Sequence, residues 1–234
     1  MRKQMRILRR RSTEQEPYWQ TFLFETADEE ATVATALREL NERETLLDVA
    51  GNVAEAIRWE NSCLQKKCGA CAMVINGMPK LACATRLAEL KREVVSLEPL
   101  RKFPVVADLL VDRGVLMQNL KDAQAWLEHD AVLEDCRWSM AYEASRCLQC
   151  GLCLEACPNF CAEGPFGGMA AMVPMARLLS QAPGEQRAQL ATSYRDVVFG
   201  GCGKSLACRA VCPAGIDIDG LLARSNAAAL WHRW

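Results

Sequence analysis

Eleven of the thirteen cysteines in this chain fall into three groups with regular spacing. The first group reads Cys63-x4-Cys68-x2-Cys71, and Cys83 follows after eleven intervening residues. The second group is Cys147-x2-Cys150-x2-Cys153-x3-Cys157-Pro158, and the third repeats it as Cys202-x2-Ser205-x2-Cys208-x3-Cys212-Pro213. Spacings of this kind let a single loop wrap a compact inorganic core with thiolates, as the ferredoxin motifs do around iron–sulfur clusters. The pattern therefore predicts three iron–sulfur centres in one chain, and hence a protein that transfers electrons.

A disulfide framework is the competing explanation for thirteen cysteines. It suits small secreted chains whose cores are too small to hold a fold. This chain has 234 residues, half of them apolar and 24% charged, so it is long enough to bury a core of its own. Its basic N-terminus, residues 2–11, is followed by an acidic, polar stretch rather than by the apolar core of an export signal. Disulfides are therefore disfavoured, and we expect the chain to stay in the cytoplasm or on the cytoplasmic face of a membrane.

Charge and hydropathy exclude several classes of partner. The net charge of −1 favours neither nucleic acid nor an anionic membrane surface. No apolar run approaches the roughly 18 residues that span a bilayer, since the most apolar stretch, 169–179, is short and contains Arg177. No Ser/His/Asp grouping, phosphate-binding glycine loop or carboxylate pair makes a case for catalysis. We therefore expect a peripheral protein with no transmembrane segment, no nucleic-acid partner and no catalytic residues of its own.

The chain divides at residues 99–104, where two prolines bracket a basic link. Residues 1–102 predict strands at 5–8, 19–24 and 93–97, a helix at 32–40, and a hairpin of 72–75 with 80–82 around the Asn76-Gly77 turn. Residues 103–234 predict helices at 105–111, 116–128, 140–146, 172–179, 185–197 and 216–229. The fold class is therefore α+β. A β-grasp domain of the plant-type ferredoxin kind precedes an all-helical, bacterial-ferredoxin-like domain whose cysteine motifs form an internal repeat.

The first cysteine group, Cys63, Cys68, Cys71 and Cys83, has the plant-type spacing of a [2Fe–2S] centre. Gly69 lets the backbone approach closely where a Cβ would collide. The Asn-Gly hairpin folds Cys83 back onto the cysteine loop. Structural zinc is the alternative, but it is normally held by pairs of C-x2-C knuckles, which this spacing fits poorly.

The second and third groups have the bacterial ferredoxin spacing, in which the fourth cysteine of each motif ligates the other cluster. Applied to this chain, that rule gives a [4Fe–4S] centre held by Cys147, Cys150, Cys153 and Cys212. The other centre then has Cys157, Cys202 and Cys208 as its ligands. Ser205 stands where a fourth thiolate belongs, and its hydroxyl is a harder ligand than thiolate. We therefore expect a [3Fe–4S] centre there, with iron ligation by Ser205 as the alternative.

Outside the motifs, Cys136 and Cys161 are expected to be buried as small hydrophobes, although a ligand role for Cys161 stays open. His129 is expected in a solvated helical position rather than as a ligand. Met169, Met172 and Met175 predict a packing face. At the C-terminus, Trp231, His232 and Trp234 either anchor to a membrane or subunit surface or belong to a loose tail.

With these motifs the chain resembles the iron–sulfur subunit of the succinate dehydrogenase and fumarate reductase family. The resemblance covers residues 5–222 and is carried by the segment 63–71, by Leu81-Ala82-Cys83-Ala84-Thr85 and by both helical motifs. It implies electron transfer between a flavoprotein subunit with FAD, beside the [2Fe–2S] centre, and quinone, beside the [3Fe–4S] centre. It also implies one or more membrane anchor subunits, and a peripheral position on the cytoplasmic face of the membrane.

Some positions depart from the family pattern. Gly203 stands where the family has histidine, Ala214 where it has lysine, and the segment 159–162 lacks its tryptophan. In the family these positions lie near quinone, so an alternative function is open: an iron–sulfur subunit of a flavin-dependent reductase of another unsaturated acid, with a non-quinone donor. A free two-domain ferredoxin or an iron–sulfur sensor is the alternative from a different class. Asn159-Phe160 and the following 164–166 favour the fumarate-reductase branch.

Overall fold

The structure, a computed structural model, divides the chain into two compact units, Met1–Asp112 and Arg113–Trp234. It describes residues 1–132 and 135–231, and of residues 135–138 it describes the backbone alone. The domain boundary predicted at 102/103 falls within the first of these units and stays a prediction.

The first unit is built on a five-stranded mixed sheet. Its strands are β1 (Arg2–Arg9), β2 (Tyr18–Glu25), β3 (Ala72–Ile75), β4 (Met78–Leu81) and β5 (Val94–Glu98), in the order β2-β1-β5-β3-β4. β1 pairs in parallel with β5, and the other neighbours are antiparallel. Alternate residues of the paired strands are fully buried, which is the period-2 pattern of a sheet with one face on a core; they include Met5, Ile7, Phe22 and Phe24. The strands predicted at 5–8, 19–24 and 93–97 are confirmed, each slightly longer or shifted.

One helix, α1 (Val33–Asn41), lies between β2 and β3 in the chain. Thr32 caps its N-terminus: the Thr32 hydroxyl accepts the Thr35 N–H, and the Thr35 hydroxyl accepts the Thr32 N–H. Its buried positions, such as Leu37 and Leu40, recur at helical spacing. The helix predicted at 32–40 is confirmed.

The helix predicted at residues 105–111 is wrong. The segment forms a hairpin of β6 (Val105–Ala107) and β7 (Leu110–Val111), with Asp108 at its turn in the left-handed region, φ 46°. A short apolar run fits a buried strand as well as a helix, so periodicity alone does not decide. The Asp108 carboxylate accepts the backbone N–H groups of Arg10 and Arg58, both at 2.9 Å, and these bonds fix the turn.

Asp108 also meets a buried arginine. Arg9 and Asp108 are each 2% exposed, and Arg9 Nε lies 2.9 Å from Asp108 Oδ1, although the N–H does not point squarely at the oxygen. The guanidinium donates further to Gln20 Oε1 and to the carbonyls of Glu55 and Ala56, each at 3.1 Å. This cluster joins β1, the segment 55–58 and the β6–β7 hairpin. It therefore anchors the chain just before the first cysteine loop.

The second unit, in its described part, consists of helices and turns. They are α2 (Gly114–Asp122), α3 (Asp135–Ser145), α4 (Leu152–Ala156), α5 (Gly168–Gln181), α6 (Gly184–Val197), α7 (Ala207–Val211) and α8 (Ile218–Trp231). α5 contacts α3, α6 and α8, and α4 packs against α7. The predicted methionine face is confirmed, because Met169, Met172 and Met175 are buried along α5. Within the described residues no helix has both the length and the apolar character for a bilayer crossing.

One predicted helix in this unit needs correction, and two short helices were not predicted. α2 ends at Asp122, not at residue 128, because Gln124 adopts a left-handed conformation that a helix cannot continue. The short helices α4 and α7, which lie inside the two cysteine motifs, had no periodic signal. The predicted effect of Pro158 and Pro213 is confirmed: each short helix ends one residue before the cysteine that precedes the proline.

Candidate metal centres

The first cysteine site lies where β3 begins and β4 ends, at one end of the sheet in the first unit. Cys63 and Cys68 belong to the loop before β3, and Cys71 comes directly before that strand. Cys83 lies in the turn after β4. The Asn76-Gly77 turn, with φ 50° and 80°, folds β4 back alongside β3. The Cys83 N–H points to Cys71 Sγ at 3.5 Å, so the hairpin brings the last cysteine next to the third. Cys68 is exposed and Cys71 is buried.

Backbone N–H groups surround the sulfurs of this loop. The N–H groups of Gln65 and Lys67 both donate to Cys63 Sγ at 3.3 Å, and the N–H of Lys66 donates to Cys83 Sγ at 3.3 Å. Leu64 and Lys66 adopt left-handed conformations, φ 53° and 58°, which turn successive N–H groups to one side. Such a concave row of N–H groups binds anions, and thiolates or cluster sulfurs are anions.

The cysteines of this site differ in acidity. The N–H of Gln65, followed by Cys68 and the N–H of Lys67, lowers the pKa of Cys63 to about 7. Burial raises the pKa of Cys71 to about 12. A buried thiol deprotonates readily only against a strong positive charge, which a bound metal supplies. The four-thiol donor set with its N–H donors fits an iron–sulfur core.

In the second unit the two cysteine motifs repeat in backbone geometry as well as in sequence. Each residue of the first motif has its counterpart 55 positions later, and the helices α4 and α7 obey the same offset. The residues on each side of Cys150 have φ 49° and 82°, and those on each side of Ser205 both have φ 56°. The internal repeat predicted from the sequence is thus present in the backbone, and Ser205 occupies the place of Cys150.

One cavity of the second unit brings four cysteines together from both motifs. Its lining includes Cys147, Cys150, Cys153 and Cys212. Burial raises the pKa of Cys150 to about 11 and holds the pKa of Cys153 well above its usual value, and the charges of neighbouring cysteines add to both effects. The Arg113 guanidinium, which donates to the Cys150 carbonyl at 3.1 Å, acts in the opposite direction. Four thiols that line one cavity fit a four-iron core.

The remaining three motif cysteines also neighbour one another. Burial is the first cause of the raised pKa of Cys208, and the charges of Cys157 and Cys202 add to it. Ser205 is exposed. Among the described residues, no group of three His, Cys, Asp or Glu side chains is placed to hold a single metal ion.

Family comparisons identify what kind of protein holds these sites. Residues 4–118 match the family described as the 2Fe-2S iron-sulfur cluster binding domain, and residues 143–216 match the 4Fe-4S dicluster domain. The succinate dehydrogenase iron-sulfur subunit of Bacillus subtilis (strain 168) is 35% identical over 205 residues, which cover 83% of this chain and 79% of that protein. The chain belongs to the family of succinate dehydrogenase and fumarate reductase iron–sulfur subunits.

Further similarities agree with this family. The fumarate reductase iron-sulfur subunit of Mycobacterium tuberculosis (strain CDC 1551 / Oshkosh) is 35% identical over 191 residues, 76% of this chain and 75% of that one. A chain in the solved Mycobacterium smegmatis Sdh1 complex in the apo form has the same fold, with a TM-score of 0.77, 22% identity and coverage of 97% of this chain and 95% of that chain. As a family member, the chain is an electron-transfer component of an oxidoreductase, with [2Fe–2S] and [4Fe–4S] clusters as cofactors.

One departure from the family pattern has a structural explanation. Asn159 follows the first Cys-Pro pair, and its Nδ2 donates to the Gly201 carbonyl at 2.8 Å. A Cβ built on Gly203 would lie 2.9 Å from the same nitrogen, so a side chain there would require the Asn159 amide to shift. The Asn159 side chain therefore fills the space beside Gly203, where other family members are expected to have a histidine.

Cys161, His129 and Trp231 lie at the surface, outside the cysteine motifs. Cys161 is exposed, so the expectation that it is buried is wrong. His129 is exposed, as expected, but lies in a turn region after α2 rather than on a helix. Trp231 is 70% exposed at the end of α8. The side chain of Cys136, and the residues His232 and Trp234, lie outside what the structure describes.

The left-handed residues that shape the cysteine loops could not be predicted from the sequence. Leu64, Lys66, Gln149 and Leu206 all have positive φ, yet their side chains give no such signal, since only glycine and, less often, asparagine or aspartate indicate it. Gln149 was also missed as a side-chain donor: its Nε2 lies 3.5 Å from Cys147 Sγ.

Proposed function

We propose that the chain transfers electrons between a flavoprotein subunit and quinone, as the iron–sulfur subunit of a fumarate reductase or succinate dehydrogenase complex. The observation that carries the proposal is the cavity lined by cysteines from both motifs of the second unit. It supports the exchange of the fourth cysteine between motifs, which is the arrangement that produces two adjacent clusters. When bound, such clusters accept and release single electrons without protein acid–base chemistry.

We assign the ligands as follows. The [2Fe–2S] cluster is held by Cys63, Cys68, Cys71 and Cys83; the [4Fe–4S] cluster by Cys147, Cys150, Cys153 and Cys212; and a [3Fe–4S] cluster by Cys157, Cys202 and Cys208. The residues around the thiolates supply N–H donors and exclude water from the buried sulfurs. In this assignment the first unit is a β-grasp ferredoxin domain and the second a bacterial-ferredoxin-like domain.

The partners follow from the same proposal. The flavoprotein subunit holds FAD and the substrate site, so this chain needs no catalytic residue. A membrane anchor subunit brings quinone, and the chain lies peripherally on the cytoplasmic face of the membrane. The proposal covers succinate oxidation and fumarate reduction alike, because relatives named for each activity match the chain.

Two measurements test this function. EPR of the purified full chain should give an oxidised three-iron signal, and a two-iron signal after reduction. Quinol-driven fumarate reduction by the reconstituted complex should then depend on this chain. A complex that is inactive with every quinone, yet contains all three clusters, would contradict the quinone part of the proposal alone.

A second candidate function has one observation in its favour. Asn159 fills the space beside Gly203, at a position that the family resemblance places near quinone. This favours a related complex that reduces another unsaturated acid with a non-quinone donor. Reduced viologen-driven activity on a panel of unsaturated acids, with no quinol activity, would support it.

A further inference from the structure

A proline interrupts the central helix of the second unit without ending it. α5 continues from Gly168 to Gln181 through Pro174. Proline has no N–H, so it cannot make the helical hydrogen bond to the carbonyl four residues earlier, which belongs to Ala170. The Ala170 carbonyl is therefore available to a donor from elsewhere in the chain.

That donor is the side chain of Gln149, which lies inside the first bacterial-type motif. Gln149 Nε2 donates to the Ala170 carbonyl at 3.0 Å and to Cys147 Sγ at 3.5 Å. A primary amide has two N–H groups, so one nitrogen can serve both acceptors. The backbone of Gln149 is left-handed, with φ 49°.

The orientation of this amide is fixed by its surroundings. The reverse orientation would place Gln149 Oε1 against a carbonyl oxygen and a sulfur, both of which are acceptors. In the observed orientation Oε1 is buried and has no hydrogen-bond partner among the described residues. In this orientation the carbonyl of Ala170 and the sulfur of Cys147 each accept a hydrogen bond, whereas Gln149 Oε1 accepts none from the described residues.

The three elements of this contact share one open cavity. Cys147, Gln149 and Pro174 all contribute to its lining, together with Gln181 at the end of α5. Gln149 also borders the cavity that contains the four cysteines, as does Ala170. Gln149 therefore borders both the cysteine cavity and the open cavity.

We propose that Gln149 is a positioning residue of the [4Fe–4S] site, and that Pro174 holds it in place by leaving the Ala170 carbonyl as its acceptor. The inference rests on the proposed ligand set, in which Cys147 binds this cluster. Reduction adds one electron and makes the cluster and its thiolates more negative. An N–H donor on a ligand sulfur stabilises that state, so Gln149 raises the reduction potential of the centre.

The test uses the full chain with its clusters, titrated with dithionite in the presence of mediators and followed by EPR. Gln149→Met keeps the length of the side chain but removes both N–H donors. Both residues have a Cβ, so the cost of the left-handed backbone is unchanged. We expect it to keep the [4Fe–4S] signal and lower the potential. Gln181→Met makes the same chemical change on the same open cavity, away from the sulfur, and should leave the potential unchanged.

Pro174→Ala separates the proposed role from general damage. The new N–H competes with Gln149 for the Ala170 carbonyl, so we expect the reduction potential of the [4Fe–4S] centre to fall, but by less than in Gln149→Met. Because a helix-breaking residue is removed, we also expect the thermal unfolding midpoint of the chain to rise. An unchanged potential in Gln149→Met overturns the role of Gln149. An unchanged potential in Pro174→Ala overturns the role of the freed carbonyl. Absence of the [4Fe–4S] signal from the unsubstituted chain contradicts the ligand set instead, and would be visible before any variant is compared.

Discussion

At the scale of single residues, the proposed ligand set makes Ser205 the position that determines whether the second motif holds a three-iron or a four-iron cluster. The backbone around it matches that around Cys150, with left-handed residues on both sides. Because the backbone conformation that presents Cys150 is repeated at Ser205, we expect Ser205→Cys to replace most of the oxidised three-iron EPR signal by a reduced four-iron signal, with a gain of one iron per chain. Cys150→Ser is the matched control in the other repeat and should weaken the original [4Fe–4S] signal. A three-iron signal that persists unchanged in Ser205→Cys would contradict the assignment.

The same scale contains a prediction for the cluster-free chain. Cys63 has a pKa of about 7 and Cys71 one of about 12, so at about pH 8 the first is mainly thiolate and the second a thiol. Since the thiolate is the nucleophile, we expect iodoacetamide to label Cys63 at least about tenfold faster than Cys71. Peptide mass spectrometry over a time course measures both rates, with the exposed Cys161 as an internal reference for access. Equal rates at Cys63 and Cys71 would show that the N–H donors do not act on Cys63 without the cluster.

At the scale of elements, the predictions succeeded where a pattern was long or a turn signal was strong. α1 and the Asn76-Gly77 hairpin formed as predicted, because a capped amphipathic helix and an Asn-Gly turn are specified locally. The segment 105–111 became a hairpin because Asp108 bonds to residues far away in the chain, which no local pattern contains. The cysteine spacing is a local pattern, so it was enough to predict the clusters. The contact of Gln149 with the Ala170 carbonyl joins residues distant in the chain, so only the tertiary structure shows it.

The buried ion pair between Arg9 of β1 and Asp108 of the β6–β7 hairpin is expected to stabilise the first unit. Removing one partner of a buried ion pair costs about 3–5 kcal/mol, because the other charge stays buried and unpaired. We therefore expect Asp108→Ala to lower the free energy of unfolding of the first unit by about that amount. Denaturant titration, followed through the visible absorption of the [2Fe–2S] cluster, measures it. Arg11→Ala is the control: Arg11 and Glu55 are 3.5 Å apart and both more than half exposed, so its loss should cost at most about 1 kcal/mol.

At the scale of the whole molecule, the position of the domain boundary is open to a direct test. The sequence predicts a first domain of residues 1–102, whereas the compact unit extends to Asp112 and the matching ferredoxin family to residue 118. A fragment that ends at residue 102 lacks the β6–β7 hairpin and with it Asp108. Arg9, 2% exposed, would then be a buried cation without its carboxylate, and the N–H groups of Arg10 and Arg58 would lose their acceptor.

We therefore expect the fragment 1–112 to fold and load a [2Fe–2S] cluster, and the fragment 1–102 to load little or none. The fragment 113–234 retains both bacterial-type motifs, so it should load the other two clusters if the fourth cysteines are exchanged between the motifs within that unit. Iron content and EPR of the three fragments provide the measurement. Equal loading of 1–102 and 1–112 would place the boundary at the predicted position, and would mean that the existing bonds of Arg9 to the carbonyls of Glu55 and Ala56 suffice without Asp108.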